Sequence, residues 1–158
     1  MRKLKLQIML LFTFMVTSFT INAQSIKGIS LGERYSHSVE TITSLGGHRG
    51  EITVFKNQND IIYSAIFTSK LYIKSSEFYD LKKNIENHYD IKLKFSGMRD
   101  AYYCQVNNVI YSLRKRDYRD SDSAMSSSPQ FIFEFQISDT SLAQTHLLYL
   151  RDSAAIDF

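Results

Sequence analysis

The chain has 158 residues with 19 basic and 16 acidic side chains, one cysteine, one proline and no tryptophan. A single cysteine excludes an intrachain disulfide framework, so packing must hold the fold together. Proteins neutralise the phosphates of duplex nucleic acid with a clustered basic surface, and a chain with nearly balanced charge supplies at best a local one, so we expect no nucleic-acid partner.

The N-terminal segment has the pattern of a secretory signal peptide. Arg2, Lys3 and Lys5 precede an apolar run, residues 8–19, that is too short to span a bilayer, and polar residues then lead to Ala23. We expect cleavage after Ala23 and export to the periplasm or the cell exterior, with an uncleaved N-terminal anchor as the alternative.

Removal of residues 1–23 changes both the charge and the size of the chain. Three of the 19 basic residues are lost, which leaves 16 basic residues against 16 acidic ones in a mature chain of 135 residues. This length suits one domain with a single core. We therefore predict one domain over residues 24–158, with no transmembrane span in the mature chain.

The first element after this leader is predicted to be a short helix. Ser36 is a favourable N-cap, and Val39, Ile42 and Leu45 follow at helical spacing. Gly46 suits the left-handed position that ends a helix. The glycines that follow come after a helix rather than before one, so we interpret them as a helix stop and hairpin entry, not as a phosphate loop.

From residue 51 the apolar period changes to two, which predicts a β-hairpin. Its strands are residues 51–55 and 61–67, joined by a polar turn at residues 57–60. Pairing across this turn is expected to set one apolar group on the buried face, consisting of Ile52, Val54, Tyr63 and Ala65.

An amphipathic helix is predicted next, with Ser75 or Ser76 as its cap. Its apolar stripe consists of Phe78, Leu81, Ile85 and Tyr89. Residues 91–95 then alternate apolar and charged side chains and predict a strand. We expect the helix to cover the sheet to which this strand belongs.

A second hairpin is predicted around Asn107 and Asn108, because asparagine tolerates the positive φ of a two-residue turn. The face expected to be buried carries Tyr102, Cys104, Val106, Val109, Tyr111 and Leu113. We interpret Cys104 at this position as a buried, unreactive thiol, with an intermolecular disulfide and a catalytic role as the alternatives.

The last third of the chain combines a loop with two further elements. Residues 116–130 are rich in Ser and Asp, contain the only proline and predict a mobile loop. Residues 131–137 alternate again and predict a strand. In residues 141–150 the capping-box spacing of Ser141 and Gln144 favours a short helix, whereas the HLLYL run alone suits an edge strand, so both stay open.

The residues with catalytic or metal-binding chemistry are scattered. No histidine pair has the i, i+4 spacing with which two metal ligands share a helix face; the histidines are His37, His48, His88 and His146. The Ser- and Asp-rich loop lacks the glycine and the terminal acid of a calcium loop. We therefore assign no catalytic, cofactor-binding or metal-binding residue.

The one local basic cluster is LRKRDYRD, residues 113–120. We predict its four basic residues as contacts for an anionic envelope partner, such as a lipid head group or an acidic protein face; they are Arg114, Lys115, Arg116 and Arg119. The alternative is a solvated hairpin end in which two aspartates offset much of the charge.

Residues 28–47, GISLGERYSHSVETITSLGG, resemble the opening segment of the small exported domains of the β-lactamase-inhibitor-protein and BamE-like type. The matching positions are Gly28, Gly32, Ser36, Val39, Leu45 and Gly46. The resemblance implies an α+β domain that binds another protein or helps to organise an envelope complex, and it transfers no catalytic residue. The chain departs from the lipoproteins in having no cysteine at the predicted cleavage site, and from the inhibitors in having only one cysteine.

Together these patterns predict a single α+β domain, with a mainly antiparallel sheet of about five to six strands covered by two to three helices. We expect a non-catalytic binding or interaction module of the bacterial cell envelope, with an envelope protein as its partner and no cofactor. The alternative is a small secreted hydrolase or glycan-processing enzyme whose site is assembled from residues distant in sequence.

Overall fold

The computed structural model describes residues 25–36, 42–119 and 129–154, with the backbone alone for residues 117–119 and 152–154. The predicted signal peptide lies outside the described residues. In chain order the described elements are β1 (Ser25–Ile26), β2 (Ile29–Ser30), β3 (Ile42–Leu45), β4 (His48–Lys56), β5 (Ile62–Ser69), β6 (Ile73–Lys74), α1 (Ser75–Tyr89), β7 (Lys94–Ser96), β8 (Ala101–Val106), β9 (Val109–Arg119), β10 (Gln130–Asp139) and α2 (Thr140–Ala154).

One antiparallel sheet of eight strands dominates the described part of the chain. Its spatial order is β3-β4-β5-β10-β9-β8-β7, and β6 pairs with the start of β10. β1 and β2 form a separate two-stranded hairpin. The prediction of five to six strands was therefore wrong, because this sheet alone has eight, whereas the two described helices lie within the predicted two to three. A mainly antiparallel sheet with helices is nevertheless what the structure shows.

The segment predicted as the first helix contributes the edge strand β3. Leu45 pairs with His48, and the ladder continues to Ile42 opposite Glu51. Gly46 and Gly47 have φ values of 57° and 85°, which a two-residue hairpin turn requires. The glycines are thus a hairpin turn and not a helix stop. Three apolar positions were too few to select a helical period over a strand that gains a ladder with β4.

β10 lies in the middle of the sheet and is buried on the face that α1 covers. Four of its side chains, Phe131, Phe133, Phe135 and Ile137, have no solvent exposure. The Phe78 ring of α1 lies 5.4 Å from the ring of Phe131, between centroids. Farther along the helix, the Tyr89 ring lies 5.5 Å from the ring of Phe135. The predicted strand at residues 131–137 and the predicted covering helix are both confirmed.

The hairpin around Asn107 and Asn108 is confirmed with its register. Val106 pairs with Val109, and the ladder continues to Tyr102 opposite Leu113. Asn107 takes the expected positive φ, 53°.

The β4–β5 hairpin is also confirmed, but one side chain of its predicted buried face lies elsewhere. Val54 pairs with Ala65 as expected, and a register shift between Phe55 and Lys56 follows. Beyond this shift the ring of Tyr63 lies 6.4 Å from that of Phe55 and 5.5 Å from that of His146 in α2. The irregularity therefore turns Tyr63 toward α2, since a bulge changes which face a side chain reaches.

The loop predicted at residues 116–130 was too long at both ends, because its first and last residues belong to strands. β9 extends to Arg119, which pairs with Gln130 at the start of β10. Residues 120–128 lie outside the described residues.

Residues 141–150 are helical, as part of α2. The helix is capped by Asp139, whose carboxylate oxygen Oδ1 accepts hydrogen bonds from the backbone N–H groups of Ser141 and Leu142 at 2.9 and 3.0 Å. The cap is therefore the aspartate that ends β10 and not Ser141, because only Asp139 directly precedes the first turn. Neither described helix has the length and the apolarity that are needed to span a membrane.

Glu86 connects the last turn of α1 to the segment that enters β7. Its Oε1 atom accepts hydrogen bonds from Lys82 Nζ at 2.8 Å and from the backbone N–H of Leu93 at 2.7 Å. Burial acts to raise the pKa of this carboxyl, but the two hydrogen bonds and the nearby lysine charges outweigh it and hold the pKa below the usual range. The helix end is thus fixed to the sheet by an ionised side chain.

Gly50 in β4 is predicted to be intolerant of a side chain. A Cβ atom there would overlap the backbone oxygen of Thr68 and the ring of Phe67, whereas a Cβ at Gly97 would meet no atom within 4 Å. We expect Gly50→Ala to lower the free energy of unfolding by about 1–3 kcal/mol, the usual cost of overpacking. Gly97→Ala is the matched control and should be neutral in urea denaturation; equal stabilities for the two variants would contradict the packing described for Gly50.

Tyr89 should give the protein a measurable alkaline dependence of stability. Its hydroxyl donates to the backbone oxygen of Ser25 at 2.6 Å, and burial raises its pKa well above 10.0. Because the unfolded state then loses its proton first, wild-type stability must fall as the pH rises above about 10. Tyr89→Phe should cost about 0.5–1.5 kcal/mol at neutral pH through the lost hydrogen bond.

The stability difference between wild type and Tyr89→Phe should therefore shrink between pH values of about 9 and 11, as followed by urea denaturation. Both proteins keep Tyr102 and Tyr111, whose pKa values are also raised, so their effects cancel in the difference. A difference that stayed constant over this pH range would show that Tyr89 titrates normally in the folded state.

Candidate functional site

A cleft of about 280 Å³ lies between the early turns of α1 and the β7–β8 end of the sheet. We name it the aromatic cleft, because four aromatic rings line it. The residues that line it include Phe78, Tyr79, Phe95, Asp100, Tyr102 and Lys115. Three elements thus supply its rings, and β9 supplies its lysine.

Tyr102 in β8 is the centre of the ring arrangement. Its ring centroid lies 5.3 Å from that of Phe95, with 59° between the ring planes, and 6.4 Å from that of Tyr79, with 86° between the planes. Phe78, which is fully buried, lies 5.9 Å away and forms the floor. The walls are therefore inclined to one another as a corner rather than as a parallel stack.

Two of these rings are largely exposed to solvent. Phe95 is 59% exposed and Tyr79 is 51% exposed, although both belong to regular elements. The alternation of residues 91–95 predicts one buried face, and the structure does bury Ile91 and Leu93 but not Phe95. β7 is the last strand of the sheet and only three residues long, so the core ends before it reaches Phe95.

The two tyrosine hydroxyls of the cleft contact each other. Tyr102 Oη donates to Tyr79 Oη at 3.5 Å, which is a long hydrogen bond. This bond to Tyr79, together with burial and the neighbouring phenol, raises the pKa of Tyr102 to about 12. Tyr102 is consequently protonated at neutral pH and keeps an O–H donor at the cleft.

Lys115 places its ammonium group among three aromatic rings. Its Nζ atom lies 4.5 Å from the ring centroid of Phe131, 4.9 Å from that of Phe78 and 5.3 Å from that of Tyr79. These distances are typical of cation–π contacts. Within residues 25–36, 42–116 and 129–151, no carboxylate forms an ion pair with Lys115. The half-buried ammonium therefore has rings but no described counter-ion.

Arg114 also lines the cleft, but its guanidinium group and that of Arg116 bind Glu134 on the opposite face of the sheet. Glu134 is only 8% exposed and accepts from Arg114 Nε at 2.6 Å, through Oε2, and from Arg116 Nη1 at 2.8 Å, through Oε1. Both guanidinium groups thus bind the same carboxylate, and each carboxylate oxygen accepts a hydrogen bond.

The predicted anion-contact set is consequently divided by the structure. Successive side chains of a strand point to opposite faces, so Lys115 lies in the aromatic cleft while its two neighbours bind Glu134. The side chain of Arg119 lies outside the part of the chain that the structure describes. The sequence predicted a basic cluster because residues 116–130 were interpreted as a loop, where strand alternation does not apply.

Sequence reasoning missed Tyr79, Phe95 and Tyr102 as a group. The available signal was the number of large rings in three segments that meet at a sheet edge. No local pattern shows that meeting, because Tyr79 belongs to α1 and its two partners to β7 and β8.

Each described histidine packs against an aromatic ring. His48 lies edge-on to Phe133, with 5.6 Å between ring centroids, and His88 lies edge-on to Tyr89 at 4.8 Å. His146 Nδ1 is 3.2 Å from Gln58 Oε1. Among the described residues, no group of three His, Cys, Asp or Glu side chains could hold a metal ion. His37 lies outside the described residues.

Two short segments match hydrolase motifs, but the structure does not give either the necessary context. GISLG at residues 28–32 fits the G-x-S-x-G pattern, yet Ser30 is buried in β2 and is followed by a turn, not by the helix of a nucleophile elbow. SLRK fits S-x-x-K, yet its ends, Ser112 and Lys115, lie three residues apart on β9 and face opposite sides of the sheet. Neither motif therefore places a serine beside a catalytic base.

A larger cleft, about 450 Å³, lies near the C-terminal end of α1. Aliphatic and polar side chains both line it, and they include Lys27, Leu45, Leu81, Asn84, Ile85 and His88. The hydroxyl of Tyr89, which also lines it, is already bonded to the backbone of Ser25. The aromatic cleft is the stronger candidate despite its smaller volume, because it combines two exposed rings with an ammonium group held among aromatic rings.

No protein-family model matches the chain, and neither curated proteins nor solved structures show a significant match. The resemblance of residues 28–47 to the β-lactamase-inhibitor-protein and BamE-like domains therefore stays a prediction.

Glu134 is predicted to be a structural residue that neutralises two arginines. Glu134→Gln would remove the buried charge with which Arg114 and Arg116 both pair, and it should lower the free energy of unfolding by about 1–3 kcal/mol. The control is Glu51→Gln, which breaks the exposed pair with Lys70 and should cost no more than about 1 kcal/mol. Equal losses in urea denaturation would contradict a special role for the buried carboxylate.

Proposed function

We propose that the chain is an exported, non-catalytic binding module of the bacterial cell envelope, and that the aromatic cleft is its ligand-contacting surface. The proposal combines the signal-peptide pattern of residues 1–23 with the chemistry of the cleft. The single observation that carries it is a cleft that combines the exposed rings of Phe95 and Tyr79 with the Lys115 ammonium.

The aromatic cleft has the composition that binding surfaces favour. Tyrosine and phenylalanine bury a large area with few rotatable bonds, and tyrosine adds a hydrogen-bonding hydroxyl. Exposing Phe95 and Tyr79 to water has a cost in the free protein, since each large apolar side chain gains about 1.5–3 kcal/mol on full burial. A ligand that covers both rings recovers part of this free energy.

The cleft also has a fixed charge to orient a ligand. Lys115 is half-buried and held by its three rings, so its ammonium is less hydrated than a surface lysine. An anionic group that approached it would form a charge-assisted hydrogen bond. Of the four basic residues predicted as anion contacts, Lys115 is therefore the one that this proposal retains.

Photo-crosslinking in the native cells tests the proposal. A photoreactive p-benzoylphenylalanine in place of Phe95 should form an adduct with an envelope component on irradiation, because this position forms the mouth of the cleft. The same group in place of Leu147 is the control: Leu147 is 65% exposed, comparable to Phe95, but lies on α2.

The adduct from position 95 should disappear when Tyr79→Ala removes one wall. The adduct from position 147, if any, should not respond to that change. The proposal fails if position 95 gives no adduct, or if both positions give the same adducts with the same dependence on Tyr79.

A further inference from the structure

We propose that the aromatic cleft binds a carboxylated saccharide, with its rings packed on the sugar and Lys115 paired with the carboxylate. This inference rests on the proposed function, because it names the ligand class of the same cleft. Four properties of the described residues carry it: the sign of the charge, the orientation of the rings, the position of the polar groups and the size of the cleft.

The charge favours an anion. Three aromatic faces around an ammonium would ordinarily indicate a site for a ligand cation, but here Lys115 of the chain itself occupies that position. A second cation would be repelled by Lys115, whereas a carboxylate would supply the counter-ion that the described residues do not. Asp100 also lines the cleft, but it is exposed and therefore more strongly screened than the half-buried Lys115.

The rings favour a sugar. The face of an aromatic ring is electrostatically negative and attracts weakly positive hydrogen atoms, such as the axial C–H groups on one face of a sugar ring. Tyr102 stands at 86° to Tyr79 and at 59° to Phe95, so the walls form a corner that can contact a rigid ring from two sides. A saccharide offers such a face together with polar groups around its edge.

The polar groups of the cleft suit the edge of a sugar. The hydroxyls of Tyr79 and Tyr102 can each donate and accept a hydrogen bond, and their mutual contact of 3.5 Å is weak enough to exchange for a bond to a ligand. The carboxylate of Asp100, which also lines the cleft, can accept from sugar hydroxyls.

The dimensions of the cleft disfavour long ligands. Its volume of about 280 Å³ lies just below the range of about 300–1,000 Å³ that is usual for small-molecule pockets, which suits one or two sugar rings better than an acyl chain. A peptide would be expected to add a strand to the neighbouring sheet edge, but β7 has only three residues and offers few ladder hydrogen bonds.

A matched pair of sugars tests the inference on the unmodified mature protein. D-glucuronate and D-glucose differ in the carboxylate at C6, and each is titrated into ¹⁵N-labelled protein by NMR. We expect glucuronate to bind about tenfold more tightly than glucose, as one charge-assisted hydrogen bond predicts. The shifts should centre on Tyr79, Ala101 and Tyr102. A third titration uses a glucuronate-containing tetrasaccharide. If the natural ligand is a polymer, the tetrasaccharide should bind with higher affinity than glucuronate; if it is a free monosaccharide, the tetrasaccharide should not.

Variants assign the preference to its residues. Lys115→Met keeps the aliphatic stem and should reduce the glucuronate-to-glucose ratio to about one, while Lys115→Arg should preserve it. Lys94→Met is the matched control, since it removes the same charge from the neighbour of Phe95 on the opposite face of β7, and the ratio should not change. Phe95→Ala should weaken both sugars equally.

Equal binding of the two sugars by wild type, or no binding of either sugar or the tetrasaccharide, overturns the inference without any variant. A preference that survives in Lys115→Met also overturns it. In each of these cases the crosslink at position 95 separates the two proposals: an adduct that depends on Tyr79 would leave the binding function in place with a ligand of another class, such as a peptide.

Discussion

The burial of one face of β10 under α1 is the interaction on which the rest of the structure depends. Phe131, Phe133, Phe135 and Ile137 have no solvent exposure, and side chains of this size contribute about 1.5–3 kcal/mol each on full burial. β10 also has β5 on one side and β9 on the other. A strand with two neighbours and a covered face fixes the register of both neighbours, because a slip by one residue would expose all four apolar side chains.

The same alternation divides the charges of β9. Lys115 pairs directly with Phe133 across the ladder and therefore shares the covered face, whereas Arg114 pairs with Glu134 on the other face. One register thus produces two different electrostatic environments one residue apart. On one face the arginine charge is neutralised by a buried carboxylate; on the other the lysine charge is stabilised by aromatic faces and stays available to an anion. A basic cluster in the sequence becomes a structural ion pair and a separate binding group.

The aromatic cleft arises where the sheet extends beyond its cover. α1 crosses the middle strands and buries Phe78 there, but β7 lies at the sheet edge and is too short to continue the core. Phe95 consequently meets water on one side and Tyr102 on the other. Function is proposed at this edge for a physical reason: rings that the core would otherwise bury are presented by regular secondary structure, which holds them in a defined orientation before any ligand arrives.

The sequence by itself determined the elements whose evidence is local. The alternation of residues 131–137, the apolar stripe of α1 and the Asn107–Asn108 turn are each set by neighbours in the chain, and all three are observed. Only the tertiary structure decided the secondary structure and the exposure of segments whose partners are distant in the sequence. Residues 42–45 became a strand because β4 offered a ladder, and Phe95 stayed exposed because β7 is the last strand of the sheet. The number of strands and the aromatic cleft depend on such non-local pairings, and the free energy of a pairing is not encoded in either segment alone.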